Sequence, residues 1–177
     1  MLHFRTTNPH KFREAEAILS RRNIQVAHLP KAYREIQADT LEEVVQEALQ
    51  GLEPGTFIED AGLFIDALKG FPGVYSSYVQ RTIGNKGILR LLEGVEDRGA
   101  AFESVVGLVT EGGQKIFKGR VRGSISQEAK GEGGFGYDPI FTPAGHNKTF
   151  AEDARLKNEI SHRKLALERL ADYLGGR

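Results

Sequence analysis

The sequence predicts an α/β protein built on a mixed β-sheet flanked by helices, and three features of the chain predict it. The first is a strand, loop, helix opening. The apolar run 2–4 leads to Asn8, a good helix N-cap, and to Pro9, whose fixed φ and missing N–H suit a first helical position. Phe12, Ala15, Ile18 and Leu19 then recur at helical spacing as far as Arg22. The second is a pair of strand-like runs, 100–110 and 114–121, separated by Glu111, Gly112 and Gly113 in the manner of a hairpin. The third is a closing helix capped by Ser161, with Ala166, Leu167, Leu170, Tyr173 and Leu174 on one face. Helical and hairpin connections in one chain favour a mixed sheet over a purely parallel one.

The remaining elements follow from local signals. A second strand is expected near 24–28, followed by a polar loop around Glu35. Thr40 is placed to cap a helix carrying Leu41, Val44, Val45, Ala48 and Leu49. After a turn at Pro54 and Gly55, residues 56–58 form a buried strand that is expected to end at Glu59 and Asp60. Pro72 and Gly73 mark a further turn, and 83–92 reads as a helix.

A chain of 177 residues fits one domain, 1–177, and its 40% hydrophobic and 27% charged composition is that of a chain that folds. Lys plus Arg and Asp plus Glu both number 24, so no global field draws nucleic acid or an anionic membrane. Any anion site must be built locally, which suits a small polyanion. The absence of cysteine excludes disulfides, thiolate catalysis and cysteine-based zinc sites. With no membrane-length apolar run and no signal-like start, a cytoplasmic location is expected.

Three groups of residues carry candidate chemistry. Lys11 falls in the first turn of its helix, where the macrodipole disfavours a cation, and His162 and Arg163 repeat the conflict after Ser161, with Lys157 just upstream. Anionic phosphate would relieve both conflicts, with free backbone N–H groups adding to the side-chain charge. Solvated basic residues near helix ends are the plainer alternative. Glu59 and Asp60 follow an apolar strand, and Asp60 with Glu35 would form the oxygen set that magnesium takes from protein; a solvated strand end is the alternative. The run 133–139, Gly-Gly-Phe-Gly-Tyr-Asp-Pro, sets Phe135 and Tyr137 among glycines, so that either ring stacks on a nucleobase beside Asp138 or both are tucked into the core. The stretch 70–75 reads equally as a turn or as the wall of a cleft.

Four segments, in this order, closely resemble the inosine triphosphate pyrophosphatase family of non-standard purine nucleotide pyrophosphatases, nearest to its archaeal members. They are Thr-Thr-Asn-Pro-His-Lys at 6–11, Glu-Asp-Ala-Gly-Leu at 59–63 with Gly-Phe-Pro-Gly-Val-Tyr-Ser at 70–76, Phe-Gly-Tyr-Asp-Pro-Ile-Phe at 135–141, and Ser-His-Arg at 161–163. Lys-Thr-Phe-Ala-Glu at 148–152 lies between the last two. The resemblance implies an elongated fold of two lobes with a central cleft, a homodimer, and magnesium-dependent hydrolysis of ITP, dITP and XTP to the monophosphate and pyrophosphate. It implies that Thr6, Thr7, Asn8, Pro9, His10 and Lys11 cradle the triphosphate and that Lys157 also contacts phosphate. It further implies that Glu35 and Asp60 hold Mg2+, with Asp60 accepting the proton of the attacking water. Phe135 would stack on the base within a loop that includes Gly136 and Tyr137, and Asp138, His162 and Arg163 would read the base edge. Arginine offers only donors, so it meets a 6-oxo group and not the 6-amino group of adenine.

Three positions depart from the family pattern. Ala61 stands where a serine is usual, so that side chain loses its substrate hydrogen bond while its backbone N–H is kept. His10 replaces a small residue in the phosphate loop, and Tyr78 stands where many members have arginine. The alternative function is a protein that binds or senses a purine nucleotide without hydrolysing it, hinted at by Ala61. An RNA-binding module using Phe135 and Tyr137 is disfavoured by the balanced charge.

Overall fold

Six strands form one sheet in the order β2-β1-β3-β4-β5-β6, where β1 is Leu2–Arg5, β2 Val26–Leu29, β3 Thr56–Ile65, β4 Gly99–Thr110, β5 Gly113–Ile125 and β6 Phe141–Pro143. The computed structural model describes residues 1–34 and 36–176. β1 runs parallel to β2 and β3, whereas β5 and β6 are antiparallel, so the sheet is mixed as the connections predict. The helices are α1 (Pro9–Ser20), α2 (Leu41–Ala48), α3 (Ser76–Thr82), α4 (Gly84–Leu91), α5 (Ala154–Ile160) and α6 (His162–Gly175).

Contacts divide the chain into two compact units. Unit 1 is Met1–Asp60, Ser104–Gly119 and His162–Arg177; unit 2 is Ala61–Glu103 and Arg120–Ser161. Each has its own core. In unit 1, Phe4 of β1 stacks on Phe57 of β3 with ring centroids 4.5 Å apart, and Ala15, Leu19, Val106, Leu108, Leu167 and Leu170 pack with them. Unit 2 is centred on Phe102, Phe141 and Phe150, whose centroids lie 4.7 to 6.2 Å apart, with Leu63, Ile65, Val79, Ile88 and Leu92. Wholly burying side chains of this size contributes about 1.5 to 3 kcal/mol each.

Several expectations need correction. β3 does not end at Glu59 and Asp60 but continues to Ile65, because Leu63 and Ile65 resume the inward alternation and Glu59 is met by Lys11 of α1 and Arg163 of α6. The second strand starts at Val26, since Ile24 donates its N–H to the Leu19 carbonyl in the turn that closes α1, with Asn23 at a φ of 56°. The helix expected over 83–92 is present as α4; α3, which precedes it, was not expected, and Gly84 at a φ of 60° breaks the path between them. β6 and α5 had no sequence signal.

Other local predictions hold for stated reasons. Thr40 and Glu43 form a reciprocal capping box at α2, and the hydrogen bonds from Thr40 lower the Glu43 pKa. At Gly119 of β5, an added Cβ would fall on the His162 carbonyl and the Ala166 nitrogen, so only glycine lets the start of α6 lie this close to the strand. Among the described residues no helix is long and apolar enough to cross a membrane.

Candidate active site

The start of α1 is organised by Asn8. Its backbone is extended and its Oδ1 accepts from the N–H groups of His10 (2.9 Å) and Lys11 (3.3 Å). Thr6, buried at the end of β1, accepts the Asn8 N–H at Oγ1 (3.1 Å), and its carbonyl lies 2.9 Å from His28 Nε2. The His28 ring in turn stacks on Phe12, with centroids 4.4 Å apart. Pro9 has no N–H and Phe12 donates to the Asn8 carbonyl. The Asn8 side chain thus caps the first turn of α1, taking the N–H groups of His10 and Lys11. Thr7, Pro9 and His10 are exposed, and His10 Nδ1 lies 3.2 Å from Arg13 Nη2.

The dipole conflict at Lys11 is resolved by a protein carboxylate. Lys11 Nζ lies 2.9 Å from Glu59 Oε2, donates to the Glu59 carbonyl at 3.2 Å and approaches Asp60 Oδ1 to 4.0 Å. Arg163, at the start of α6, reaches the same glutamate, with Nη2 3.2 Å from Glu59 Oε1, while its Nη1 pairs with Glu14 of α1. The Ser104 hydroxyl of β4 donates to Glu59 Oε1 at 2.7 Å, and the Tyr33 hydroxyl donates to the Glu59 carbonyl at 3.3 Å. Unit 1 thus brings Lys11, Asp60 and Arg163 together around one glutamate.

Glu59 is 1% exposed and Arg163 2%. Burial alone would raise the Glu59 pKa; the charges of Arg163 and Lys11, with the Ser104 hydrogen bond, outweigh it and hold the carboxyl well below the usual range. For Arg163 burial opposes the charge, and Glu59 and Glu14 more than offset it and push the pKa up. Both groups stay ionised. The cluster brings two cations, Lys11 and Arg163, together with three carboxylates, Glu14, Glu59 and Asp60.

Unit 2 holds the second group. Asp138 and Lys157 are both buried and pair at 2.7 Å through Asp138 Oδ2, which also accepts the Phe135 N–H at 2.8 Å. Lys157 Nζ stands 4.2 Å from the centroid of the Phe135 ring, a cation–π contact. Lys157 accordingly joins the aromatic loop. The two rings of the loop part company. Phe135 is partly exposed, whereas Tyr137 belongs to the core and donates its hydroxyl to the Ser76 carbonyl at 2.8 Å. Burial pushes the Tyr137 pKa up and keeps it protonated. Of the two placements left open for this ring, Tyr137 takes the core one, with the residue 4% exposed.

The stretch 70–76 is a turn braced to β3. Ser76 Oγ accepts the Leu63 N–H at 2.8 Å and donates to the Gly73 carbonyl at 2.6 Å. The Phe71–Pro72 peptide is cis and Tyr78 is exposed.

Glu35, expected as a metal ligand, lies outside the described residues. Among the described residues no group of three or more His, Asp or Glu side chains gathers to hold a metal. The donor chemistry nevertheless fits a hard cation of the magnesium type, which takes one or two protein carboxylates and fills its shell with water and phosphate oxygens. Glu59 is engaged by Lys11, Arg163 and Ser104, whereas the Asp60 side chain is 14% exposed and is a carboxylate of the kind such an ion takes.

Sequence reasoning treated Glu59 as a neighbour of Asp60 and missed Glu14 and Ser104 altogether. A signal existed for Glu59 and Ser104, each a polar residue inside a mostly apolar strand. None existed for Glu14, whose partner is 149 positions away.

A match to the Ham1 family spans residues 2–173. The chain is 50% identical over 176 residues to a dITP/XTP pyrophosphatase of Methanopyrus kandleri, covering 96% of this chain and 94% of that protein. It is 52% identical over 176 residues to a dITP/XTP pyrophosphatase of Pyrococcus horikoshii, covering 97% and 95%. Among solved structures, a HAM1 protein from Coxiella burnetii superposes with a TM-score of 0.82 at 31% identity over the full length of both chains. The Staphylococcus aureus Ham1 protein does so with 0.81 at 30% identity over 98% of each. With a family match over nearly its whole length and relatives at half identity, the chain belongs to the Ham1 family.

Proposed function

We propose that this chain hydrolyses non-standard purine nucleoside triphosphates, ITP, dITP and XTP, to the monophosphate and pyrophosphate, and so cleanses the nucleotide pool. The observation that carries the reading is Asp60, held beside Lys11 on a strand that is anchored by buried Glu59. The relatives that share half their residues with this chain over its whole length bear the matching name.

The chemistry assigned to the residues is attack of a water oxygen on the α-phosphorus, with cleavage of the bond to the α–β bridging oxygen and departure of pyrophosphate. Asp60 accepts the proton of that water. Lys11, drawn to the rim of the cluster by Glu59, meets phosphate oxygen, and Thr6, Thr7, Asn8, Pro9 and His10 shape the loop around it. Lys157 is assigned a supporting charge at the phosphates. Phe135 stacks on the base, and Asp138, His162 and Arg163 read its edge.

The partly exposed carboxylate of Asp60, of the oxygen chemistry that a hard cation takes from protein, supports a divalent ion, Mg2+, held by Asp60 with Glu35. When bound, that ion supplies charge neutralisation at the phosphates and acidifies bound water. The reading extends to residues 1–177 acting as one functional domain, since β3, β4 and β5 contribute to both units. It extends also to a cytoplasmic homodimer, supported by the exposed Phe71, Tyr75, Tyr78, Ile83 and Leu91 of unit 2.

A panel of ITP, XTP, GTP and ATP with identification of the phosphate product tests the proposal. Pyrophosphate released from ITP and XTP in preference to GTP and ATP, and lost on chelation of divalent ions, is the expected result. Orthophosphate as product, or nucleotide binding without turnover, would overturn it.

A further inference from the structure

Gly136 stands between Phe135 and Tyr137 at a φ of 63°, and an added Cβ there would meet nothing within 4 Å, so conformation and not space requires glycine. Its carbonyl oxygen accepts from two side-chain amides at once. Gln80 Nε2 of α3 donates at 3.1 Å and Asn85 Nδ2, in the first turn of α4, donates at 3.0 Å. Two donors occupy both acceptor positions of one carbonyl.

The other end of each amide is unusual. Gln80 Oε1 and Asn85 Oδ1 are both buried and have no hydrogen-bond partner among the described residues. A buried acceptor without a donor costs free energy, and neither amide can escape by flipping, because its oxygen would then face the Gly136 oxygen. Residues kept for packing alone would be apolar here. The structure keeps two polar ones at a cost, and both point their donors at the same atom.

That atom belongs to the loop that presents Phe135. On one side of the ring, the Phe135 N–H is held by Asp138 Oδ2 at 2.8 Å; on the other, the following carbonyl is held by Gln80 and Asn85. Between these ties lies Gly136, whose missing side chain leaves the backbone free to turn. We propose that Gln80 and Asn85 are positioning residues which clamp the Gly136 carbonyl and thereby fix the Phe135 ring in the orientation that stacks on the purine. The inference rests on the reading above that this loop receives the base, and it adds residues that touch neither base nor phosphate.

The test separates base from phosphate by using the two products as equilibrium ligands. XMP carries the base, pyrophosphate does not, and neither is turned over. Their Kd values are measured by calorimetry on the full chain, with Mg2+ present, for wild type and for the Gln80→Met/Asn85→Leu double variant. XMP binding is expected to weaken about tenfold, the scale of one or two lost hydrogen bonds, with pyrophosphate binding unchanged. Unchanged XMP binding overturns the proposal. So does equal weakening of both ligands, which marks a general disturbance of the fold. Should the double variant fail to fold, the single variants Gln80→Glu and Asn85→Asp replace it, each removing one donor, with about threefold weakening of XMP expected from each. A wild type that binds XMP but releases no pyrophosphate from XTP would remove the hydrolase reading while the XMP ratio still decides the clamp.

Discussion

Lys11 and Glu59 form an ion pair of 2.9 Å that joins the first turn of α1 to the middle of β3, and the glutamate is the more deeply buried of the two. A lysine at a helix start is electrostatically misplaced until an anion answers it. Here the answer is built in, and the same carboxylate also holds Arg163. Replacing Glu59 by glutamine should leave two poorly compensated cations in the interior and cost about 3 kcal/mol of stability. The urea midpoint measures this; a loss no larger than that of an exposed-site control would contradict the account.

The same carboxyl sets an acid limit. Its pKa is lower in the folded chain than the ordinary value of 4.5, so its contribution to stability is present in full above 4.5 and drains away as pH falls towards the lower native value. Urea midpoints followed from neutrality downward should decline below that point. In the Glu59→Gln variant the decline should be shallower, because the group that takes up the proton is gone.

Asp60 is separable from the anchor beside it. It stands partly exposed, 4.0 Å from Lys11, and is not a member of the apolar core of unit 1. Asp60→Asn should reduce turnover about a thousandfold, the scale of a general base, with an unchanged unfolding midpoint. Turnover close to wild type would take Asp60 out of the chemistry.

Phe135 should act on affinity and not on rate. Removing the ring in Phe135→Ala deletes a stacking surface and is expected to raise KM for XTP about tenfold or more, with kcat little changed. A lowered kcat at constant KM would mean that the ring serves another purpose.

Tyr137 supplies the contrast within the same loop. Tyr137→Phe keeps the buried ring but strands the Ser76 carbonyl, at a cost of about 1 to 2 kcal/mol in stability. Its KM should stay near wild type, since the hydroxyl is directed into the protein and not at substrate.

The legible parts of this protein are those in which neighbours in sequence are neighbours in space. The Asn8 cap with Pro9, the Thr40 cap and the strand-like runs 100–110 and 114–121 all follow from short-range rules, and all stand in the structure. Asp60 and Phe135 were readable as candidates because each breaks a local pattern. What could not be read was the pairing of charges. The dipole conflict at Lys11 and Arg163 correctly signalled a missing anion, but nothing local distinguishes a phosphate from Glu59 or Glu14. Likewise, no periodicity separates the ring of Phe135 from that of Tyr137; only the distant Ser76 carbonyl decides which one turns inward. Gln80 and Asn85 had no signal, because their common partner lies 56 and 51 positions away.

Neither compact unit is a continuous stretch of chain: unit 1 is made of three segments and unit 2 of two. A single crossover between genes cannot therefore exchange one unit and leave the other, and no simple truncation frees either. Descendants of this protein would have to alter preference for a base and handling of the triphosphate by substitutions accumulated within one indivisible reading frame, not by shuffling ready-made parts.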